Sequence, residues 1–273
     1  DYSLIDEDPL RELVEHFGLP IQPMGGASMV QDKKIIGTLE DVHDILGDTA
    51  FDEFIRFNNR AKSEVSPRQF YDGTPTSHIE LQNSTLSEDR FSKTIDQLPT
   101  EVKNYVGQQI HSDLAAEPHQ TSHRYGLDNF LMNDPAYMQL YCITGGNDLL
   151  VNAITSRLSA NIYLHTEVTA VCKTGQNTMQ LSYSTEGRHV CEEFDAVILA
   201  LPIEPLKEIV FSGSELQSVM EKHITHHDHP ANYLRITILF EKPFWKSWLQ
   251  DSYCMLDAFD GCCLYDESSR TPG

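Results

Sequence analysis

The sequence predicts a mixed chain, part α/β and part α+β, with a helical block inserted between two α/β-like pieces. Three observations carry this. Residues from Leu39 to about Tyr137 follow a mostly helical pattern, whereas short β-type runs dominate after Gly145-Gly146. Ala196 to Leu201 is continuously apolar rather than alternating, as expected of a strand buried on both faces. Composition shifts near Met24, Tyr141 and His223, so the domains are expected to be discontinuous.

Taken in order, Pro9 to Gly18 reads as a helix. Pro9 suits its first turn, Asp6, Glu7 and Asp8 favour its positive end, and Gly18 suits its C-terminal cap. Leu10, Leu13, Val14 and Phe17 form its apolar stripe. Ser28-Met29-Val30, Asp32-Lys33-Lys34 and Ile35-Ile36 read as a hairpin. Helices are expected over Asp41 to Leu46, Phe51 to Lys62, Ser87 to Gln97 and Thr100 to Ala116, separated by polar loops, notably Ser66 to Ser77. Another helix runs from Leu149 to Leu158. Strands are expected at Ile162 to Leu164, Val168 to Cys172, Thr178 to Tyr183 and near Val190, with a turn at Gly187. Short helices follow at Pro205 to Ile209 and Ser214 to Glu221, and an alternating strand at Tyr233 to Phe240.

The 273 residues suffice for one large domain or two ordinary ones. Their formal net charge is −21, and a surface this acidic repels phosphate backbones and anionic lipid, which sets aside nucleic-acid and membrane-surface partners. No run approaches the ~18 to 20 apolar residues of a membrane span. No signal peptide is visible at Asp1-Tyr2-Ser3, and a missing initiator Met points to a cut or processed start. The six cysteines show no C-x-x-C spacing and read as reduced thiols of a cytoplasmic protein. Alternating strand faces point Cys262 and Cys263 apart.

Four stretches in sequence order resemble the flavin-containing amine oxidoreductase family. They are the helix ending Glu15-His16-Phe17-Gly18-Leu19; the turn Ile143-Thr144-Gly145-Gly146-Asn147-Asp148 entering a helix; the span from Leu164-His165-Thr166-Glu167-Val168 to Asp195-Ala196-Val197-Ile198-Leu199-Ala200-Leu201-Pro202; and Leu239-Phe240-Glu241-Lys242-Pro243-Phe244-Trp245. Together they cover nearly the whole chain. The resemblance implies a doubly wound FAD-binding domain, from residues 1–23 and 141–222. A substrate domain of helices packed on a mixed sheet, residues 24–140 and 223–273, interrupts it. It further implies that Val168 supplies backbone contacts to the adenine end of FAD, and that Ala200 and Pro202 line the cofactor crevice. The plain alternative is that Val168 and Ala200 are core strand residues.

The sequence also departs from the family. No G-x-G-x-x-G occurs among its 15 glycines, and the family places that fingerprint upstream of the residue matching Asp1. The chain is therefore expected to be an internal fragment that binds FAD weakly or not at all, with a parent that binds it. Where the family's amine oxidases carry a Lys that holds a water near the flavin, Arg235 stands. Arg keeps its proton and presents a planar fork, so this candidate catalytic position also admits a non-amine substrate. Its plain alternative is an exposed strand residue paired with an acid. No Arg lies in Tyr2 to Asp8, which disfavours an α-amino-acid substrate. The expected function is oxidation of an amine or similar small molecule by hydride transfer to flavin. The alternatives are a catalytically silent flavin-fold binding domain and an oxidase or desaturase acting on another substrate.

Other constellations are weaker. His223 and His227 share a helix face, but Pro230 follows and no further ligand pattern appears, so a solvated loop is expected and no metal site. There is no G-x-S-x-G. Gly25-Gly26-Ala27-Ser28 precedes a strand rather than a helix, which argues against phosphate cradling. Phe244, Trp245 and Trp248 read as core.

Overall fold

The computed structural model describes residues 2–3, 9–26, 28–71, 90–175, 177–227 and 233–268. It is a mixed α/β structure with two compact units, Asp1–Leu158 with Tyr233–Gly273, and Ser159–Asn232.

In the first unit, α1 (Pro9–His16) ends as expected of a Gly cap. Gly18 takes φ +67°, its N–H donates to the Glu15 carbonyl at 2.9 Å, and the Leu19 N–H donates to the Val14 carbonyl at 3.1 Å. Val14 is the buried member of the apolar stripe; it packs with Ile143, Leu150 and the half-buried Phe17, while Leu10 and Leu13 are exposed. Residues Asp6 to Asp8 lie outside the described residues. A small antiparallel sheet orders β1 (Tyr2–Ser3), β5 (Leu140–Ile143) and β2 (Ile21–Pro23), with β5 in the middle. The helix after Gly145-Gly146 is α8 (Asp148–Thr155).

The hairpin is β3 (Ser28–Gln31) and β4 (Lys34–Ile36), closed by Asp32 at φ 50° and Lys33 at φ 65°, a turn whose twist matches paired strands. β10 (Tyr253–Leu256) lies parallel to β3, and β11 (Cys262–Tyr265) completes the mixed sheet in the order β11-β10-β3-β4. Registers Met29↔Ile36, Met255↔Met29 and Met255↔Cys263 set these four side chains in one row on one face.

Helices cover that face. α2 (Leu39–Leu46) starts with a reciprocal cap: Asp41 N–H donates to Thr38 Oγ1 at 3.2 Å and Thr38 N–H donates to Asp41 Oδ2 at 2.9 Å. The Thr38 hydroxyl and the Gly37 and Thr38 amides hold the Asp41 carboxyl below its usual range. α3 (Asp48–Glu64), α4 (Pro67–Tyr71), α5 (Phe91–Ile95), α6 (Thr100–Leu114) and α7 (His123–Leu131) follow. One core joins Phe54, Phe57, Phe91, Val102, Val106, Ile110 and Leu127 to Met29, Ile36 and Met255.

The second unit is the sheet β8-β7-β6-β9: β6 (Thr166–Lys173), β7 (Met179–Thr185), β8 (Arg188–Phe194) and β9 (Val210–Ser212). Glu186 and Gly187, at φ 49° and 74°, make the expected turn. α9 (Ile203–Lys207) and α10 (Ser214–His226) pack on this sheet through Leu206, Leu216 and Met220, joined by Ile209 from the link after α9.

Several expectations are corrected. Ala196 to Leu201 forms no strand: among the described residues nothing pairs with it, and Ile198 is 92% exposed. An extended segment becomes a buried strand only when neighbours take up its backbone groups on both edges. For the same reason Ile162 to Leu164 and Tyr233 to Phe240 are not strands, and Leu239 is 91% exposed. Part of the expected loop Ser66 to Ser77 is helix α4. There Gln69 N–H donates to Ser66 Oγ at 3.3 Å and Ser66 N–H to Gln69 Oε1 at 3.0 Å, a capping box ahead of Pro67. Residues 72–77 of that loop, like Ser87 to Asp89 of an expected helix, fall outside the described residues. His223 and His226 belong to α10 rather than to a loop. The aromatic cluster Phe240, Phe244 and Trp245 has edge-on rings 5.1 to 5.6 Å apart, but it lies at the surface, with Phe244 and Trp248 exposed.

Candidate functional site

Val168 lies in β6 opposite Tyr183 of β7. A bulge follows it: Thr169 falls out of the ladder, and its hydroxyl donates to the Ser182 carbonyl at 3.3 Å. On the other edge of β6, the parallel ladder with β9 begins only at Ala170. The backbone edge of Thr166 to Val168 therefore has no strand partner among the described residues. A planar heterocycle with alternating donors and acceptors can use such an edge as a strand would. The Val168 side chain is half-buried against Val171, Leu206 and Ile209.

Leu199 packs against the same three residues, so the segment carrying Ala200 shares the hydrophobic cluster that anchors Val168. Exposure alternates along that segment. Val197 and Leu199 are half-buried, whereas Ile198 and Ala200 face away. Pro202 is exposed and caps α9, its carbonyl accepting from Leu206 N–H at 3.4 Å. Val168, Ala200 and Pro202 thus belong to one unit, Ser159–Asn232.

Arg235 is in the other unit. Its Nη2 donates to Glu267 Oε1, and its Cζ lies 5.3 Å from the centre of the Tyr265 ring. Tyr265 faces Tyr253 across the strand pair, with centroids 6.2 Å apart and rings tilted by 36°. Burial, with Cys263, Asp113 and Asp251 nearby, pushes the Tyr253 hydroxyl up to about 12. Burial likewise raises the Cys254 thiol to about 11 and Cys263 to about 12. Both thiols stay protonated at neutral pH, which removes them as nucleophiles, and all six cysteines are free.

Tyr253 also lines a pocket of about 210 Å³ between the sheet and the helices. Met29, Ile36, Val42, Phe54 and Met255 make its apolar wall, and Gln109 and Asn133 its polar side. No charged side chain lines it among the described residues. A second pocket of about 220 Å³ shares Phe54, Gln109 and Asn133, so the two adjoin. Tyr105, whose hydroxyl burial raises to about 12, accepts from Gln109 Nε2 at 3.2 Å and fixes that amide. Each pocket is smaller than the roughly 300 Å³ at which drug-sized ligands begin to fit, and suits a short aliphatic chain. Sequence reading missed these residues: Met29, Phe54 and Met255 carry the same apolar pattern whether they fill a core or wall a pocket.

Gly26 fixes the strand beside this pocket. A Cβ there would come within 2.5 Å of the Tyr253 carbonyl oxygen. Ser28 Oγ donates to Asp251, tying the same two segments. The His223 and His227 rings lie 4.7 Å apart, tilted by 59°, yet no group of three metal-ligating side chains forms among the described residues.

No curated protein matches the chain. Among solved structures it is similar to three variants of putrescine oxidase redesigned for cofactor binding. The triple mutant matches with TM-score 0.54 and 16% identity over 77% of this chain and 48% of that one. For the single mutant the values are 0.58, 14%, 81% and 51%. For the double mutant they are 0.54, 15%, 80% and 51%. The chain thus spans about half the length of these structures, and the likeness is one of fold. The model of the family described as flavin containing amine oxidoreductase matches residues 4–273. That match runs over nearly the whole chain, and the chain belongs to the flavin-containing amine oxidoreductase family.

Proposed function

We propose that the protein to which this chain belongs is an FAD-dependent oxidoreductase of the amine oxidase type, which oxidises an amine or similar small molecule. The family match over residues 4–273 carries this reading. Bound FAD would supply the hydride acceptor, and the protein would supply positioning and exclusion of water. Val168 would offer its unpaired backbone edge to the adenine end. Ala200 and Pro202, exposed on the segment anchored beside it, would line the crevice. The uncharged pocket behind Tyr253 would take an aliphatic portion of the substrate. Arg235 would be the catalytic residue, facing the flavin or the substrate. Residues 1–23 and 141–222 would belong to the FAD-binding domain, and 24–140 and 223–273 to the substrate domain. The partner is a small molecule, with no nucleic acid or membrane surface engaged, and the setting is the cytoplasm. No helix among the described residues is long and apolar enough to cross a membrane.

The second reading is a catalytically silent domain that keeps the fold to bind a partner. The pairing of Arg235 with Glu267 and Tyr265 favours it, because that pairing gives Arg235 the role of an exposed ion-pair residue in place of a water-holding one. The full-length protein decides between them. Visible flavin absorption, bleached when an amine is added without oxygen, is the expected result. A full-length protein that stays colourless after incubation with FAD overturns the enzyme reading.

A further inference from the structure

The C-terminal end of α10 carries three histidines, His223, His226 and His227, all exposed. His227 N–H donates to the His223 and Ile224 carbonyls at 3.1 and 3.2 Å. Its backbone therefore sits one helical turn beyond His223, and both side chains leave the same face. Their ring centres are 4.7 Å apart, with the rings tilted by 59°. Two imidazoles that each reach one ion at about 2.1 Å, from directions near a right angle, have centres roughly 4.5 to 5 Å apart, so the observed spacing is that of a chelating pair. The nitrogens are also uncommitted. Among the described residues neither ring takes part in a hydrogen bond or ion pair, whereas His43 is held by Asp48, His111 by the Gly261 carbonyl, and His123 by Thr94 and Glu64.

We propose that His223 and His227 chelate one divalent transition-metal ion, with water completing its coordination. An imidazole pair selects nickel, copper, cobalt or zinc over magnesium and calcium, which prefer oxygen ligands. Two side-chain ligands leave the site open, unlike a closed structural site with four protein ligands. The helix end favours the charge as well, because the carbonyls of the last turn carry the negative end of the dipole. The net charge of −21 further draws cations to the surface. His226 stands outside the pair: its ring meets His227 edge-on, at 84°, and no three ligating side chains converge among the described residues. Bound metal ties the last turn of α10 together, because ion binding and helix formation become one equilibrium. Both ligands come from one helix of the second unit, so the site does not depend on the flavin reading.

The test is titration of the tag-free, metal-stripped chain with nickel chloride at pH 7.5 in a non-coordinating buffer. Calorimetry gives the affinity, and hydrogen-exchange mass spectrometry gives the place. Nickel is expected to slow amide exchange in the last turn of α10. His223→Gln and His227→Gln are each expected to weaken that site at least tenfold, and the double variant to lose no more than either alone, since one imidazole cannot chelate. His226→Gln is expected to stay within twofold, and magnesium chloride to give no protection. Nickel held elsewhere, at a thiol or a carboxylate, registers in calorimetry but not in exchange at α10, so the two are told apart. The proposal is overturned if nickel leaves exchange in α10 unchanged, if either single variant binds as tightly as the unaltered chain, if His226→Gln loses as much, or if magnesium protects equally. Far-ultraviolet circular dichroism without metal confirms that each variant keeps its helices.

Discussion

Gly126 lies directly beneath the Phe91 ring: a Cβ at position 126 would come within 2.1 Å of Phe91 Cγ. Phe91 is fully buried, and its N–H is held by the Thr121 carbonyl at 3.0 Å, so the ring has no room to retreat. Gly inside α7 ordinarily costs about 1 kcal/mol relative to Ala. Here it is the residue that lets α7 and α5 meet. Gly126→Ala is therefore expected to destabilise, by roughly 1 to 3 kcal/mol, despite its gain in helix propensity. Denaturant unfolding measures this. The paired change Gly126→Ala with Phe91→Leu should recover part of the loss; no recovery would locate the strain elsewhere.

A buried hydroxyl closes the other side of the helical block. Tyr137 donates to the Val65 carbonyl at 2.6 Å, and both residues are buried. This bond caps the end of α3, where the carbonyl of Val65 has no helical partner. Tyr137→Phe keeps the ring and strands the carbonyl, and should cost about 1 to 3 kcal/mol. Unchanged stability by thermal or denaturant unfolding would show that water reaches Val65.

Acid should weaken the same region. Burial opposes ionisation of Asp134, but the Lys62 ammonium at 2.5 Å and the Ala136 N–H at 2.9 Å outweigh it, so the carboxyl titrates below its usual range. A lowered folded-state pKa adds stability that is present above the unfolded value, near 4, and is lost as pH falls through the folded value. Melting temperatures of the unaltered chain and Asp134→Asn should therefore differ at pH 6 and converge toward pH 3. A difference that is constant across this range would remove the Lys62 pairing as its cause.

How much of this was legible depends on what each element leans on. Local chemistry was readable: the Gly18 cap, the Asp32-Lys33 turn and the Glu186-Gly187 turn need only their own neighbours. Helix α7 was not, because Gly126 weakens its pattern and the reason for Gly126 is Phe91, distant in sequence. Helix α4 was readable and overlooked: Ser66, Pro67 and Gln69 form a standard start within a stretch that looks like a polar loop. The runs at Ile162, Ala196 and Tyr233 have strand composition, but composition does not provide ladder partners. At the candidate site, the resemblance pointed to Val168, and only the structure shows the bulge and the open edge beside it. Arg235 was identified by counting back from Trp245; its hold on Glu267, 32 residues on, and on Tyr265 needs the fold to bring them together.

The Ala196 to Leu201 run gives the sharpest contrast between pattern and packing. If it were a strand buried on both faces, polar changes at Ile198 and Leu199 would be equally costly. In the structure only Leu199 packs, against the Val171, Leu206 and Ile209 cluster, while Ile198 points outward. Ile198→Ser in this chain should therefore leave stability within about 0.5 kcal/mol. Leu199→Ala should cost roughly 1 to 2 kcal/mol, below the 2 to 5 kcal/mol of a fully buried leucine because the side chain is only half-buried. In the full-length protein, Ile198→Ser is expected to weaken FAD binding, read by titrating flavin absorbance, because the exposed face of this run adjoins Ala200 and Pro202. Equal losses at both positions in this chain would restore the buried-strand reading, and an undiminished flavin affinity would remove this segment from the cofactor crevice.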